Sequence, residues 1–205
     1  MTRRLAFWLA LVACGAVAAV LGHRVGRAVV GVPGRAPFAV VQPGDRHAGT
    51  GEPWLEVPLP EATFERPDGS PVTLASHRGE IILLNFWGSW CPPCLVEIPH
   101  LVRVQNHLQR WGGTIIGPAV DSGSGEDVLR FAREQGVNYP VWLASFDVSV
   151  GVFGAPGYPY TLLIDRNGII RRRYLGPQTE ATLLRDVEAL VADPPPPPVR
   201  RLPSG

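Results

Sequence analysis

Two cysteines, Cys91 and Cys94, are the residues of this sequence best suited to chemistry, and Pro92 and Pro93 stand between them. Side chains three residues apart lie about one turn apart on the same side of a helix. In that arrangement one sulfur can attack an external disulfide while the other waits to resolve the mixed disulfide that forms. The spacing therefore predicts thiol–disulfide exchange.

The flanking sequence predicts that the pair lies where a strand ends and a helix begins. An apolar run, Ile81 to Phe86, precedes the pair, and a helix-like pattern follows it over 95–102. Unpaired N–H groups and the positive end of the dipole at a helix start favour a thiolate. We expect Cys91 to be the attacking nucleophile and Cys94 to be the more buried, resolving thiol.

The two prolines bear on how acidic Cys91 is. Pro92 and Pro93 suit a first helical turn, but they remove two amides that could have bonded to the Cys91 thiolate. No His or Arg lies between the cysteines to add positive charge. We therefore expect Cys91 to be only moderately acidified and the pair to be a reductant rather than a strong oxidant.

The composition limits the other chemistry that the chain could carry. Among 205 residues the net charge is +1, which gives no electrostatic argument for nucleic-acid binding. Every basic side chain except histidine is arginine, which argues against lysine Schiff-base chemistry. With Cys14, the chain has three cysteines, so it is not a disulfide scaffold, and no second cysteine pair completes a zinc site. We expect no metal and no cofactor.

The sequence of the N-terminal 30 residues predicts a membrane segment. The uncharged stretch from Leu5 to Gly22 would span roughly 27 Å as a helix, which is barely a bilayer core. We favour an uncleaved, single-pass signal anchor. A cleaved signal peptide and a lipoprotein signal with Cys14 as the lipidated residue remain open.

The rest of the chain divides by composition. Residues 31–53 are rich in Gly and Pro and predict a linker, 54–192 a globular domain, and 193–205 a proline-rich tail. Within the domain the expected order is hairpin, strand, helix, strand, helix, strand, hairpin, helix. That order predicts an α/β fold with a mixed sheet and helices on both faces.

Two distant motifs resemble the thioredoxin superfamily. The first runs from Leu84 to Cys94, with Pro99 five residues later, and the second from Gly157 to Asp165, followed by Asn167 and Gly168. The N-terminal hairpin and anchor and Asn85 are similar to the TlpA/ResA/DsbE branch. The resemblance implies a thioredoxin fold with an N-terminal β-hairpin extension and a transmembrane anchor. It also implies a catalytic domain on the extracytoplasmic side of the cytoplasmic membrane.

The second motif implies that Pro159 is a cis proline whose loop presents the Tyr158 backbone to a substrate strand near Cys91. Pro156 is the nearby competitor for that role. With Trp90 and Pro92, residues 158 and 159 are the expected substrate contacts.

Position 85 departs from thioredoxin itself, which has a buried Asp there. Because Asn85 cannot take a proton, another group must help to deprotonate Cys94. Glu97 lies three residues beyond Cys94, and we hypothesise that it acts as a base through water. The alternative is a solvated helix glutamate.

These features favour a membrane-anchored thiol–disulfide oxidoreductase that reduces disulfides of exported proteins. An upstream thiol donor would return its cysteines to the reduced form. The branch resemblance implies cytochrome c maturation as a setting. Alternative enzymes are a disulfide oxidase or isomerase and a thiol peroxidase. From another class, a soft-metal (copper) carrier would use both thiolates.

Overall fold

The computed structural model describes residues 54–194. The predicted anchor and linker, and the tail beyond its first two residues, lie outside the described residues. Within 54–194, no helix is both long enough and apolar enough to cross a membrane.

The described residues form one mixed sheet whose strand order is β1-β8-β7-β4-β5-β6-β2-β3. The parallel pairs are β4 with β5 and β5 with β6, and the remaining neighbours are antiparallel. The strands are β1 (Val57–Pro58), β2 (Thr63–Glu65), β3 (Pro71–Thr73), β4 (Ile81–Phe86), β5 (Gly113–Val120), β6 (Val141–Ala144), β7 (Tyr160–Ile164) and β8 (Ile169–Leu175).

Three α-helices connect and follow these strands: α1 (Pro92–Leu108), α2 (Gly125–Glu134) and α3 (Glu180–Ala192). Ser124 and Asp127 form a capping box at the start of α2, and the side chain of Thr179 caps α3. Shorter helical segments cover Leu74–His77, Gln109–Trp111 and Asp147–Val152, the last with π-helical geometry.

The three α-helices all pack on one face of the sheet. Apolar residues of α1 and α3 share a core with Ile81, Leu83 and Ile115, and α2 joins the same side through Val128 and Ala132. The opposite face is covered by the two short helical segments Leu74–His77 and Asp147–Val152, together with aromatic side chains. We predicted helices on both faces, and on the second face the structure has only these short segments.

Strand β4 lies in the middle of the sheet, between β5 and β7, which is why its sequence is an unbroken apolar run. Its register with β5 places Leu84 opposite Ile116, and beyond the strand Trp87 bridges to Ala119. Asn85 is therefore aligned with Gly117, and both positions lie on the face that carries α1.

The sequence patterns do not predict two short elements, one near each end of the sheet order. Strand β1 has two residues and pairs only at the sheet edge, and residues 74–77 form a single turn. Strand β6 begins at Val141, directly after Pro140. Pro140 lacks an N–H to donate to the ladder and contributes only its carbonyl, to the amide of Gly117.

Candidate active site

The two cysteines lie at the junction between β4 and α1, as the sequence predicts. Cys91 is the N-cap residue and α1 starts at Pro92. Cys91 and Cys94 are disulfide-bonded, with their Cα atoms 5.4 Å apart. Cys94 is 1% exposed and Cys91 4%. The structure therefore describes the oxidised pair, held at the positive end of a 17-residue helix.

Two tryptophans border the pair in different ways. Trp87 is buried in the same core cluster as both cysteines, stacks on Phe131, and donates its Nε1–H to the Gly117 carbonyl over 3.1 Å. Trp90 is 47% exposed and is held by a 3.0 Å bond from its Nε1 to the carbonyl of Val120. Trp87 is therefore part of the core, whereas Trp90 presents an aromatic surface beside the cysteines.

The loop before β7 closes the other side of the site. The Tyr158–Pro159 peptide bond is cis, so Pro159 rather than Pro156 has this geometry. Tyr158 packs against the cluster that contains both cysteines, and its ring meets that of Trp90 edge-on at 5.6 Å. Pro92 is exposed at the first turn of α1. Of the predicted contact residues, Tyr158 and Trp90 thus lie together at the redox pair.

Phe146 belongs to the same surface, although the sequence analysis did not select it. Its ring centroid lies 5.7 Å from that of Trp90 and 6.0 Å from that of Tyr158, and its side chain is 45% exposed. No motif marks Phe146. Only the path of the chain from β6 towards β7 brings it to the cysteines.

Glu97 is fully buried, so the alternative of a solvated helix glutamate is wrong. Its Oε2 accepts a 2.9 Å hydrogen bond from Asn85 Nδ2, and its Oε1 accepts one of 2.9 Å from the backbone N–H of Gln178. Burial raises the pKa of Glu97 to about 7, against the opposing effect of these two hydrogen bonds.

Asn85 is oriented by a second bond. Its Nδ2 also donates to Thr161 Oγ1 on β7 over 2.8 Å, so both amide hydrogens are used. The Glu97 carboxyl group, one helical turn beyond Cys94, is thus held by neutral hydrogen-bond donors and has a pKa near neutral pH. Such a group can take a proton from a thiol or return one.

Comparisons with known proteins agree with this geometry. The AhpC/TSA family model matches residues 55–173. The thiol-disulfide oxidoreductase ResA of Geobacillus thermodenitrificans is 30% identical over 132 residues, which are 64% of this chain and 75% of that protein.

Two solved structures are similar in fold and sequence. A thioredoxin-family thiol:disulfide interchange protein from Chlorobium tepidum has a TM-score of 0.58 and 31% identity, covering 67% of this chain and 97% of the other. A DsbF homologue from Corynebacterium diphtheriae has a TM-score of 0.59 and 26% identity, covering 70% and 97%. The resemblance drawn from the two sequence motifs is confirmed. The chain therefore belongs to the AhpC/TSA family, within the thioredoxin superfamily, and it is a thiol-disulfide oxidoreductase.

Proposed function

We propose that this oxidoreductase is a membrane-tethered disulfide reductase in which Cys91 attacks, Cys94 resolves and Glu97 moves the proton. One observation carries the catalytic part of the proposal. The buried carboxyl group of Glu97, with a pKa of about 7, lies one helical turn beyond Cys94. Strands β4 and β7, which contribute Asn85 and Thr161 to this site, contain no Asp or Glu.

The first step forms a bond between Cys91 and the substrate. The Cys91 thiolate attacks one sulfur of the substrate disulfide, a mixed disulfide forms, and the other substrate sulfur leaves as a thiolate that takes a proton from solvent. The N-terminal end of α1 stabilises the attacking anion.

The second step requires Cys94 to lose its proton. The Glu97 carboxylate accepts that proton through water, and the Cys94 thiolate attacks Cys91. This forms the Cys91–Cys94 disulfide and releases the second substrate sulfur as a thiolate. The substrate gains two electrons and the protein pair loses two. An upstream dithiol donor returns them by the reverse sequence, in which Glu97 reprotonates Cys94.

The exposed surface around the pair supports a polypeptide substrate. Trp90, Phe146 and Tyr158 form an aromatic cluster beside Cys91, and Pro92 is exposed next to it. A substrate segment that reaches Cys91 must pass this surface. We assign Trp90, Pro92, Tyr158 and Pro159 to substrate contact, with a substrate strand running along the backbone at Tyr158.

The proposed cellular setting is based on the N-terminal sequence and on the family resemblance. The apolar segment over residues 5–22 would anchor the chain, and the domain over 54–192 would act outside the cytoplasmic membrane on exported proteins. Apocytochrome c is the substrate that the branch resemblance suggests. A reporter fused after residue 192 tests the orientation: extracytoplasmic activity supports it and cytoplasmic activity overturns it.

Single-cysteine variants test the mechanism. With insulin as the disulfide substrate, Cys94→Ser is expected to accumulate a mixed disulfide through Cys91, and Cys91→Ser is expected to form none. Full turnover by Cys91→Ser would contradict the assignment. The reduction potential separates reductase from oxidase, because a value as high as about −120 mV is that of a strong oxidant.

A further inference from the structure

Tyr139 carries a buried hydroxyl group that the proposed mechanism does not use. Its side chain is buried at the end of the segment that leads into β6, and no hydrogen-bond partner for its hydroxyl lies among residues 54–194. Buried polar groups almost always have partners, so an unpaired phenol beside a redox site needs an explanation.

The position of the ring places it next to the carboxyl site. Asn85, which binds Glu97, is aligned with Gly117 on the neighbouring strand, and both positions face α1. The Tyr139 ring fills the space that a side chain at Gly117 would take, because a Cβ there would lie 2.9 Å from Tyr139 Cε2. The same space is bounded by Trp87, whose Nε1 would lie 3.1 Å from that Cβ and which belongs to the core cluster that contains both cysteines.

Glu97 has room for a further donor. Each carboxylate oxygen accepts one hydrogen bond in the structure, from Asn85 or from Gln178, and a carboxylate oxygen can accept two. The neighbours from β4, β7 and the segment before α3 are the neutral groups of Asn85, Thr161 and Gln178. Titratable groups near Glu97 include Cys94, three residues before it on the same helix, and, from the β6 side, Tyr139, on which the charge of Glu97 acts.

We propose that Tyr139 is a positioning residue of this site, whose hydroxyl donates through a water molecule to the Glu97 carboxylate and stabilises its ionised form. The proposal rests on the role of Glu97 in the proposed function. Buried waters typically join such otherwise unpaired polar groups. Burial and the charge of Glu97 raise the pKa of Tyr139 above its ordinary value. The phenol therefore stays protonated at working pH and is a permanent donor, not a second base.

The test is the pH dependence of the second step alone, measured in a single turnover as the rate at which the mixed disulfide between Cys91 and a small disulfide is resolved by Cys94. Wild type is expected to show a step near pH 7 that reports Glu97. In Tyr139→Phe this step is expected to move up by about one pH unit, which lowers the rate at pH 6 roughly tenfold. Tyr160→Phe is the matched control, because its hydroxyl is also buried and unpaired but its ring lies in the core on the other face of the sheet.

The Glu97→Gln background separates positioning from packing. The step near pH 7 should be absent in Glu97→Gln, and adding Tyr139→Phe should change the profile no further. An unmoved step in Tyr139→Phe, or an equal effect of the tyrosine change in both backgrounds, overturns the inference alone. A step that survives in Glu97→Gln overturns the role of Glu97 in the proposed function instead.

Discussion

Ser149 Oγ lies 2.6 Å from the hydroxyl of Tyr158, and this bond joins the π-helical segment to the residue before the cis proline. Ser149 is itself held by the carbonyls of Ser145 and Phe146. The aromatic surface beside the cysteines is therefore assembled from three separate parts of the chain, and one buried hydroxyl links two of them, at Phe146 and at Tyr158. A surface fixed in this way is suited to binding a substrate segment without rearrangement.

The first prediction concerns this surface. Trp90→Ala and Phe146→Ala each remove an exposed aromatic ring that a protein substrate would cover. Exposed aromatic anchors typically contribute 1–2 kcal/mol or more to binding, so KM for a protein disulfide is expected to rise about tenfold. The rate with a small disulfide should change little, because that substrate reaches Cys91 without covering the rings.

Val191→Ala is the matched control for these two variants. Val191 is an exposed apolar side chain near the end of α3, and its loss should leave both KM values unchanged. Equal losses with protein and small substrates in Trp90→Ala would show that the ring supports the fold of the site rather than substrate contact.

The second prediction concerns stability and pH. The pKa of Glu97 rises from an ordinary value of 4.5 to about 7 on folding. Between these values the folded protein keeps a proton that the unfolded chain has lost, so stability is full below pH 4.5 and falls as pH rises to about 7. The loss is expected to be about 3 kcal/mol, at 1.36 kcal/mol per pH unit.

Glu97→Gln is expected to remove that slope, because the amide has no proton to lose. The measurement is the free energy of unfolding by urea at several pH values between 4 and 8, with the pair kept oxidised. Parallel profiles for wild type and Glu97→Gln over this window would contradict the burial of an ionisable Glu97.

Local sequence spacing was enough to predict the reactive pair, its place at a helix start and the position of Glu97 on the side of Cys94. It could not predict that Glu97 is buried, because the backbone amide that binds it belongs to Gln178, 81 residues away. Phe146 and Tyr139 were also missed. Phe146 reaches Trp90 because of the path that the chain takes after β6. The Tyr139 ring fits beside the site because Gly117, on the neighbouring strand, has no side chain to occupy that space.

The third prediction follows from Asn85. Asn85→Asp replaces the donor to Glu97 by a second carboxyl group within hydrogen-bond distance, and two such groups cannot both ionise easily. The pair is expected to titrate in two steps, with the upper step above that of wild type. A displacement of one pH unit, from about 7 to about 8, lowers the fraction of the fully ionised pair at pH 7 about fivefold, so proton transfer from Cys94 should slow by about that factor.

Thr161→Val is the control for Asn85→Asp, since it removes the other partner of the Asn85 amide without adding charge. Its reaction profile is expected to keep the wild-type midpoint. An Asn85→Asp protein with an unchanged midpoint would show that residue 85 does not act on Glu97 in solution.

The fourth prediction tests how the hairpin β2–β3 is fixed to the rest of the domain. Gly125, the first residue of α2, lies directly against the backbone of Pro67 in the hairpin turn, and a Cβ there would overlap the Pro67 carbonyl. Backbone cannot move aside as a flexible side chain can, so Gly125→Ala is expected to destabilise the fold by about 1–3 kcal/mol. Gly151 has open space around its Cβ position and no left-handed backbone angle, so Gly151→Ala should be neutral or stabilising by up to about 1 kcal/mol. The measurement is the urea midpoint of both variants, and equal midpoints would mean that the turn and α2 separate readily in solution.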